Sequence, residues 1–203
     1  MSFVNLARSE IQVKIVYYGP GRCGKTTNLA HLHEAMAEAV RGKMIKIDTQ
    51  GDRTLFFDFL PLALGKIHKM NIRIQLYTVP GQIMYTTTRK LVLRGVDGVV
   101  FVADSRAEQW EQNLESLEDL RKNLAQEQMD LAQLPLVFQY NKRDLDREGV
   151  PLIPLEELDR GLNRDLRAGA FPASALQGDG VFETLREISK RTVKHVTRKL
   201  LGR

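Results

Sequence analysis

A short glycine-rich motif constrains the fold of this chain more than any other part of its sequence. Residues 19–26 read Gly-Pro-Gly-Arg-Cys-Gly-Lys-Thr, which has the spacing of a P-loop. The run 11–18 before it is rich in β-branched and aromatic residues, as in a strand, and an amphipathic helical pattern follows it. Because a P-loop joins a strand to a helix, this context favours a phosphate-binding loop over a chance glycine turn.

The residue types in this loop suit the phosphates of a nucleotide. Gly19, Gly21 and Gly24 allow the backbone to curl so that N–H groups point inward at phosphate oxygens, and the helix N-terminus adds a partial positive charge. Lys25 is expected to reach the β- and γ-phosphates, and the Thr26 hydroxyl is expected to ligate Mg²⁺. The other candidate phosphate-loop contacts are Arg22, Cys23 and Thr27.

Length and composition predict a single domain. The chain has 203 residues, of which 43% are hydrophobic, so it is long enough to bury a full core. No apolar run reaches the length needed to span a bilayer, and no signal-peptide, myristoylation or prenylation pattern is present. Cys23 is the only cysteine, which excludes an internal disulfide and a CxxC metal pair. We therefore expect a cytoplasmic protein.

The net charge of +5 is concentrated at the C-terminal end of the chain. From residue 181 onward there are seven Lys or Arg and two Asp or Glu, an excess that equals the net charge. The apolar residues of this stretch recur at helical spacing, which predicts a helix docked on the sheet with a solvated basic face. Attachment of that face to an acidic membrane surface, a nucleic acid or an acidic partner is the alternative.

Strand-like and helical patterns alternate along the chain. Strands are predicted near residues 11–18, 44–48, 71–79, 97–104, 134–141 and 170–173, and helices near 25–40, 108–128, 154–166 and 182–200. This order predicts an α/β fold over 1–203, with a mostly parallel sheet of six to seven strands and helices on both faces. The long connection 49–62 carries three phenylalanines and three leucines. They either pack onto the sheet edge as core or form an exposed patch for a partner.

A second motif, Asn-Lys-x-Asp at residues 141–144, follows the strand-like run 136–140. The Asp144 carboxylate can accept hydrogen bonds from N1–H and the exocyclic amino group of guanine, whereas adenine would leave it unpaired. The stem of Lys142 can lie along the base plane, and Asn141 completes the motif. Its position at the carboxyl end of a strand favours base recognition over a charged turn.

Three shorter elements have roles that depend on their order after the P-loop. A backbone amide in the Ser174–Ala175 segment is expected to meet the guanine O6. Gly81 is expected to bring its N–H to the γ-phosphate, and Gln82 is expected to orient the attacking water.

The long connection contains two further candidates. Thr54 is expected to supply a second hydroxyl to Mg²⁺, and its neighbour Arg53 is expected to stabilise the transferring phosphoryl group in cis. The alternative for this arginine is a surface ion pair with Asp52 or Asp58.

Together these motifs resemble a small Ras-like GTPase, and more closely the MglA family of bacterial gliding-motility and cell-polarity GTPases. Residues 14–21, 52–62, 77–82 and 96–105 carry this closer resemblance, which covers nearly the whole chain and weakens after Asp144. It implies a Ras-like G domain with a long switch-one region near 49–68, an extra strand in the switch region, and GTP/GDP and Mg²⁺ as ligands. It also implies recruitment to a cell pole in the GTP state, and a Roadblock-fold homodimer on the switch face that accelerates hydrolysis. Arg53, Thr54 and Gln82 match the family's cis arginine, switch-one threonine and glutamine.

Two residues depart from the Ras-like pattern. Thr78 stands where an aspartate is usual, which alters the outer-sphere contact to Mg²⁺, and Asp52 or Asp58 are candidates to compensate. Arg22 replaces a small or apolar loop residue and adds a positive charge near the β-phosphate. We expect this charge to slow nucleotide release or to change the contact with the activating partner.

The sequence thus predicts hydrolysis of GTP to GDP and phosphate, with the conformational cycle as the output. Two other functions remain open at this point. One is a scaffold that holds GTP with negligible hydrolysis. The other is a P-loop small-molecule kinase, in which the Asn-Lys-x-Asp motif would have no role.

Overall fold

A mixed eight-stranded sheet forms the centre of the protein in a computed structural model that describes residues 3–5, 9–48, 56–67, 70–81 and 86–201. The strands are β1 (Phe3–Asn5), β2 (Glu10–Tyr18), β3 (Ile45–Asp48), β4 (Phe56–Ile67), β5 (Met70–Thr78), β6 (Gly98–Asp104), β7 (Leu136–Asn141) and β8 (Gly169–Pro172). They follow the order β3-β4-β5-β2-β6-β7-β8, with β1 paired to β2 outside this order. The predicted α/β fold is confirmed. The sheet also contains β1 and β4, which the residue patterns did not predict, although β4 lies in the region near 49–68 where the resemblance implies an extra strand.

Five helices cover the sheet in the described part of the chain. They are α1 (Lys25–Ala35), α2 (Thr86–Leu93), α3 (Trp110–Gln126), the short α4 (Leu155–Leu158), continued by a π-helical turn at Asp159–Asn163, and α5 (Val181–Leu201). Leucines of α1 and α5 share one hydrophobic cluster, and those of α2, α3 and α4 share another. The helices therefore form a layer on each face of the sheet, as predicted. The helix α2 was not predicted.

The central strands run parallel, so their carboxyl ends meet at one edge of the sheet. Pairing is parallel between β5 and β2, β2 and β6, β6 and β7, and β7 and β8. Every residue of β6 is buried, as its unbroken apolar run predicts. A Cβ atom on Gly98 would lie 2.2 Å from the Thr192 hydroxyl oxygen, so the glycine permits the close approach of α5 to this strand.

The described part of the long apolar connection, residues 56–62, forms the first half of strand β4. This strand is antiparallel to both β3 and β5, with Phe59 paired to Tyr77. Leu60 and Leu62 are buried, and the Phe59 ring lies 4.9 Å from the Tyr77 ring, centroid to centroid. Phe59, Leu60 and Leu62 thus pack into the sheet. Residues 49–55, which hold the rest of the connection, lie outside the described residues.

The C-terminal helix α5 packs through one face and exposes charge on the other. Its buried residues include Leu185, Ile188 and Val196, whereas the basic residues Arg186, Lys190, Lys194, Arg198 and Lys199 are exposed. This matches the predicted amphipathic helix with a solvated basic face. Among the described residues, none of the helices has the length and hydropathy required to cross a bilayer.

The role of β4 in the core predicts unequal effects of two truncations. Leu60→Ala removes a fully buried side chain from β4. The free energy of unfolding should then fall by about 2–5 kcal/mol. Ile45→Ala, on the neighbouring strand, removes a side chain that is 44% exposed, and its effect should be within about 0.5 kcal/mol. Urea denaturation measures both, and equal effects would contradict the inward packing of β4.

Candidate nucleotide-binding site

The glycine-rich loop lies where its sequence places it, between the carboxyl end of β2 and the first turn of α1. Gly24 adopts a φ of 103°, in the left-handed region that favours glycine. A Cβ atom on Gly24 would also lie 2.2 Å from the Asn141 amide nitrogen. Glycine is therefore required at this position both for the backbone conformation and for contact with a distant strand.

The side chain of Lys25 folds back into the loop. Its ammonium group donates to the carbonyl oxygens of Gly19 at 2.9 Å and Pro20 at 2.6 Å, and lies 3.6 Å from the Cys23 sulfur. Burial lowers the pKa of Lys25, and burial likewise raises the pKa of the Cys23 thiol. Desolvation thus disfavours the charge on this ammonium group, and an anion at the loop would compensate it.

A cleft of about 590 Å³ opens beside this loop. Six predicted site residues line it, namely Arg22, Gly24, Lys25, Thr26, Thr27 and Gly81, together with residues of β3, β4 and β5. Arg22 is exposed at its margin and has a left-handed φ of 60°. Lysine, arginine and the helix N-terminus give this cleft a positive character that suits phosphate.

Gly81 sits directly against the phosphate loop. A Cβ atom on this residue would lie 2.3 Å from Gly21 Cα and 2.7 Å from the Pro20 carbonyl oxygen. Only glycine can therefore bring the backbone at the end of β5 so close to the loop. This contact brings Gly81 against the phosphate loop, and its role at a terminal phosphate stays a prediction.

Asp58 reaches the cleft from β4, beside the threonine that stands where Ras-like proteins usually carry an aspartate. Because Phe59 pairs with Tyr77, Asp58 lies next to Thr78 on the neighbouring strand. The Thr78 hydroxyl donates to the Asp58 carboxylate at 2.9 Å, and the Asp58 backbone N–H donates to that hydroxyl at 2.9 Å. The Thr26 hydroxyl donates to the same carboxylate oxygen at 2.6 Å. These contacts bring Asp58, one of the two candidates to compensate for Thr78, to the cleft, and the other candidate, Asp52, lies outside the described residues.

Asn141 connects the base motif to the phosphate loop. Its amide nitrogen donates to the Cys23 carbonyl oxygen at 2.7 Å, and its amide oxygen accepts from the Ala175 N–H at 2.8 Å. The side chain is buried, so both hydrogen bonds are shielded from water. One residue thus holds three predicted elements of the site together.

Lys142 is held by a buried carboxylate at the end of β6. Its ammonium nitrogen lies 2.7 Å from Asp104, which also accepts from the Arg106 side chain at 2.9 Å. Burial alone would raise the pKa of the Asp104 carboxyl, but the hydrogen bonds from Arg106 and Lys142 outweigh burial and hold this pKa below its usual value. Asp104 therefore stays ionised and orients the lysine.

Asp144 and Ser174 line a smaller cavity of about 240 Å³ next to these groups. Asp144 is half-buried in the 3₁₀-helical turn Arg143–Glu148, which follows β7 directly. The Arg143 N–H donates to the Ala173 carbonyl oxygen at 3.0 Å, which joins this turn to the segment after β8. The structure therefore brings the Asn-Lys-x-Asp motif and the Ser174–Ala175 segment side by side.

Three predicted site residues fall outside the described part of the chain, and sequence reasoning missed several contacts that hold the site together. Arg53, Thr54 and Gln82 lie outside the described residues. The two roles of Asn141 and the contact of Asp104 with Lys142 depend on strands that are far apart in sequence. The only available sequence signal for Asp104 was its position at the end of an apolar strand, and that position did not indicate its partner.

Comparison with known proteins agrees with this geometry. A family model described as the ADP-ribosylation factor family matches residues 1–192. The Mutual gliding-motility protein MglA of Myxococcus xanthus (strain DK1622) is 53% identical over 190 residues, which cover 94% of this chain and 95% of that protein. The resemblance drawn from the motifs is thereby confirmed. The chain belongs to the ADP-ribosylation factor family, as an MglA-like small GTPase.

Proposed function

We propose that this GTPase binds guanine nucleotides between its phosphate loop and its Asn-Lys-x-Asp motif, and acts as a switch for a polarity or gliding-motility system. The pair of hydrogen bonds made by Asn141 is the observation that carries this proposal. Those bonds fix the distance between a loop that suits phosphate and a carboxylate that suits guanine. A single nucleotide then bridges the two motifs. The similarity to a mutual gliding-motility protein supports the motility assignment.

The phosphates are held by the loop 19–27. Backbone N–H groups of the loop and of the first turn of α1 face the anion, and the ammonium group of Lys25 exchanges its carbonyl partners for phosphate oxygens. Gly81 adds its N–H at the terminal phosphate. These donors are fixed before the reaction, so they stabilise developing charge without reorganisation.

The base is selected by Asp144. Its carboxylate accepts from the two N–H groups on the guanine edge, and an adenine ring would leave this carboxylate unpaired. The stem of Lys142 lies along the ring, oriented by the ion pair with Asp104. A backbone amide near Ser174 meets the guanine O6.

The donor set beside the loop fits Mg²⁺. The Thr26 hydroxyl and the Asp58 carboxylate are oxygen ligands, which Mg²⁺ prefers, and they already lie 2.6 Å apart. When bound, the metal neutralises charge on the β- and γ-phosphates. Thr26 and Thr54 would hold the metal through their hydroxyls, with the Asp58 carboxylate, itself held by Thr78, beside them.

Hydrolysis requires Gln82 and Arg53. Gln82 directly follows Gly81 in the chain and orients the attacking water. Arg53 stabilises the charge of the transferring phosphoryl group once a partner orders it. A Roadblock-fold homodimer on the switch face is the proposed activating partner. Recruitment to a cell pole in the GTP state is the proposed output. The exposed basic residues of α5 support a weak contact with an acidic surface.

The position of Asp58 predicts that moving the carboxylate to residue 78 compensates for its loss from residue 58. Asp58→Thr removes the carboxylate, and nucleotide affinity at millimolar Mg²⁺ should fall about ten-fold because a charge-assisted hydrogen bond is lost. Thr78→Asp places two carboxylates side by side and should also weaken binding. The double variant restores one carboxylate on the neighbouring strand and should recover most of the affinity. Titration of Mg²⁺ with a fluorescent GDP measures this, and additive losses in the double variant would contradict the assignment.

Single-turnover hydrolysis tests the proposed reaction. Gln82→Ala and Arg53→Ala should each slow GTP cleavage by about 100-fold or more, since positioning of water and charge stabilisation are lost. Their GDP affinity should match the parent. Lys190→Ala, on the exposed face of α5, is the control and should change neither quantity. A parent that binds GTP but does not cleave it, with or without the Roadblock-fold partner, would indicate a GTP-holding scaffold instead.

A further inference from the structure

A buried arginine of α2, Arg89, lies next to the candidate site without lining its cleft. The residue is 2% exposed and donates to the Pro80 carbonyl oxygen at 2.9 Å and the Gly81 carbonyl oxygen at 2.7 Å. These are the last two residues of the β5 connection before Gln82. No motif in the sequence pointed to this side chain.

A second group of contacts ties the same guanidinium to α3. Arg89 pairs with Asp119 at 2.5 Å, and the Tyr18 hydroxyl donates to the same carboxylate. Asn123 adds hydrogen bonds to Asp119 at 3.0 Å and to the Tyr18 oxygen at 3.1 Å. Tyr18 immediately precedes the phosphate loop. The cluster Arg89, Asp119, Tyr18 and Asn123 therefore joins α2, α3 and the end of β2.

The geometry of the peptide bond lets these contacts determine the direction of the Gly81 N–H. In a trans peptide the C=O of one residue and the N–H of the next point in opposite directions. Because Arg89 holds the Pro80 carbonyl, the Gly81 N–H points away from Arg89. Pro80 and Gly81 both line the cleft beside the phosphate loop, and the other face of Gly81 lies against Gly21. The arginine thus fixes which way the Gly81 N–H is aimed.

We propose that Arg89 is a positioning residue for the terminal phosphate of GTP, acting through the Pro80–Gly81 backbone and held by Asp119. This deepens the proposed function and rests on it. GDP lacks the terminal phosphate, so the Arg89 cluster contributes to GTP binding and hydrolysis and leaves GDP binding nearly unchanged. An arginine is needed because its planar fork reaches two carbonyl groups and a carboxylate at once, whereas a lysine offers a single ammonium group.

The test compares Arg89→Lys with the parent by equilibrium binding of GDP and of a non-hydrolysable GTP analogue. The Kd for the analogue should rise about ten-fold or more, because charge-assisted hydrogen bonds to the backbone are lost. The Kd for GDP should change by less than about three-fold, and single-turnover hydrolysis should slow at least as much as analogue binding weakens. Arg191→Lys is the matched control. That arginine pairs with Glu187 one turn away on α5, at 2.6 Å, and does not line the nucleotide cleft among the described residues, so its substitution should alter neither Kd.

A second variant keeps the test decisive if Arg89→Lys does not fold. Asp119→Asn preserves the shape of the cluster and an acceptor oxygen for its donors, but removes the negative charge that pairs with Arg89. It should also raise the Kd for the GTP analogue, by a smaller factor than Arg89→Lys does. Equal weakening of GDP and analogue binding, or a lowered Tm with both Kd values unchanged, would show that Arg89 only stabilises the fold. A parent that binds neither nucleotide would refute the proposed function instead.

Discussion

The two hydrogen bonds of the buried Asn141 side chain set the geometry on which the rest of the site depends. They join the carbonyl of Cys23, in the phosphate loop, to the amide of Ala175, after β8. In the proposed function, neither the phosphate cleft nor the base-binding carboxylate could bind a nucleotide specifically alone. Because Asn141 fixes the spacing between them, one nucleotide can contact both. The parallel strands make this possible because their carboxyl ends bring distant loops to the same edge.

The antiparallel strand β4 adds a feature that the parallel sheet alone does not supply. Its register with β5 puts Asp58 beside Thr78 and within hydrogen-bonding distance of Thr26. In the proposed function, this carboxylate serves the Mg²⁺ site from the strand next to Thr78, so that site depends on the pairing of β4 with β5. Any shift in that pairing would move Asp58 away from the phosphate loop, because a one-residue slip turns every side chain to the opposite face.

Sequence patterns predicted the features that local residue types determine. The phosphate loop, the buried strand β6 and the amphipathic helix α5 each follow from spacing or periodicity within one segment. The helix α1 was predicted to reach residue 40, but it ends at Ala35, since the following segment turns back to bond with β4 through Gly42 and Val40. Long-range pairing there overrides helix propensity. The helix α2 begins with three threonines, which are poor helix formers, and was missed for that reason.

The parts of the site that the sequence left open or missed share one physical cause. Asp58 was one of two candidates to compensate for Thr78, whereas the contacts of Asp104 with Lys142 and of Arg89 with the Pro80–Gly81 backbone were missed. All three contacts join segments that only the folded sheet brings together. A motif reports which chemistry a residue can perform. It does not report which neighbour will hold that residue in place, and each of these holding contacts comes from another strand or helix.

The most direct test of this account is the affinity of the purified protein for GTP, GDP and ATP, measured side by side by isothermal titration calorimetry. If the Asn141-linked geometry selects guanine through Asp144, GTP and GDP should bind at least about 1,000-fold more tightly than ATP, since a site built for polar groups rejects an analogue that lacks them. Comparable affinities for adenine and guanine nucleotides, or binding of neither, would contradict it.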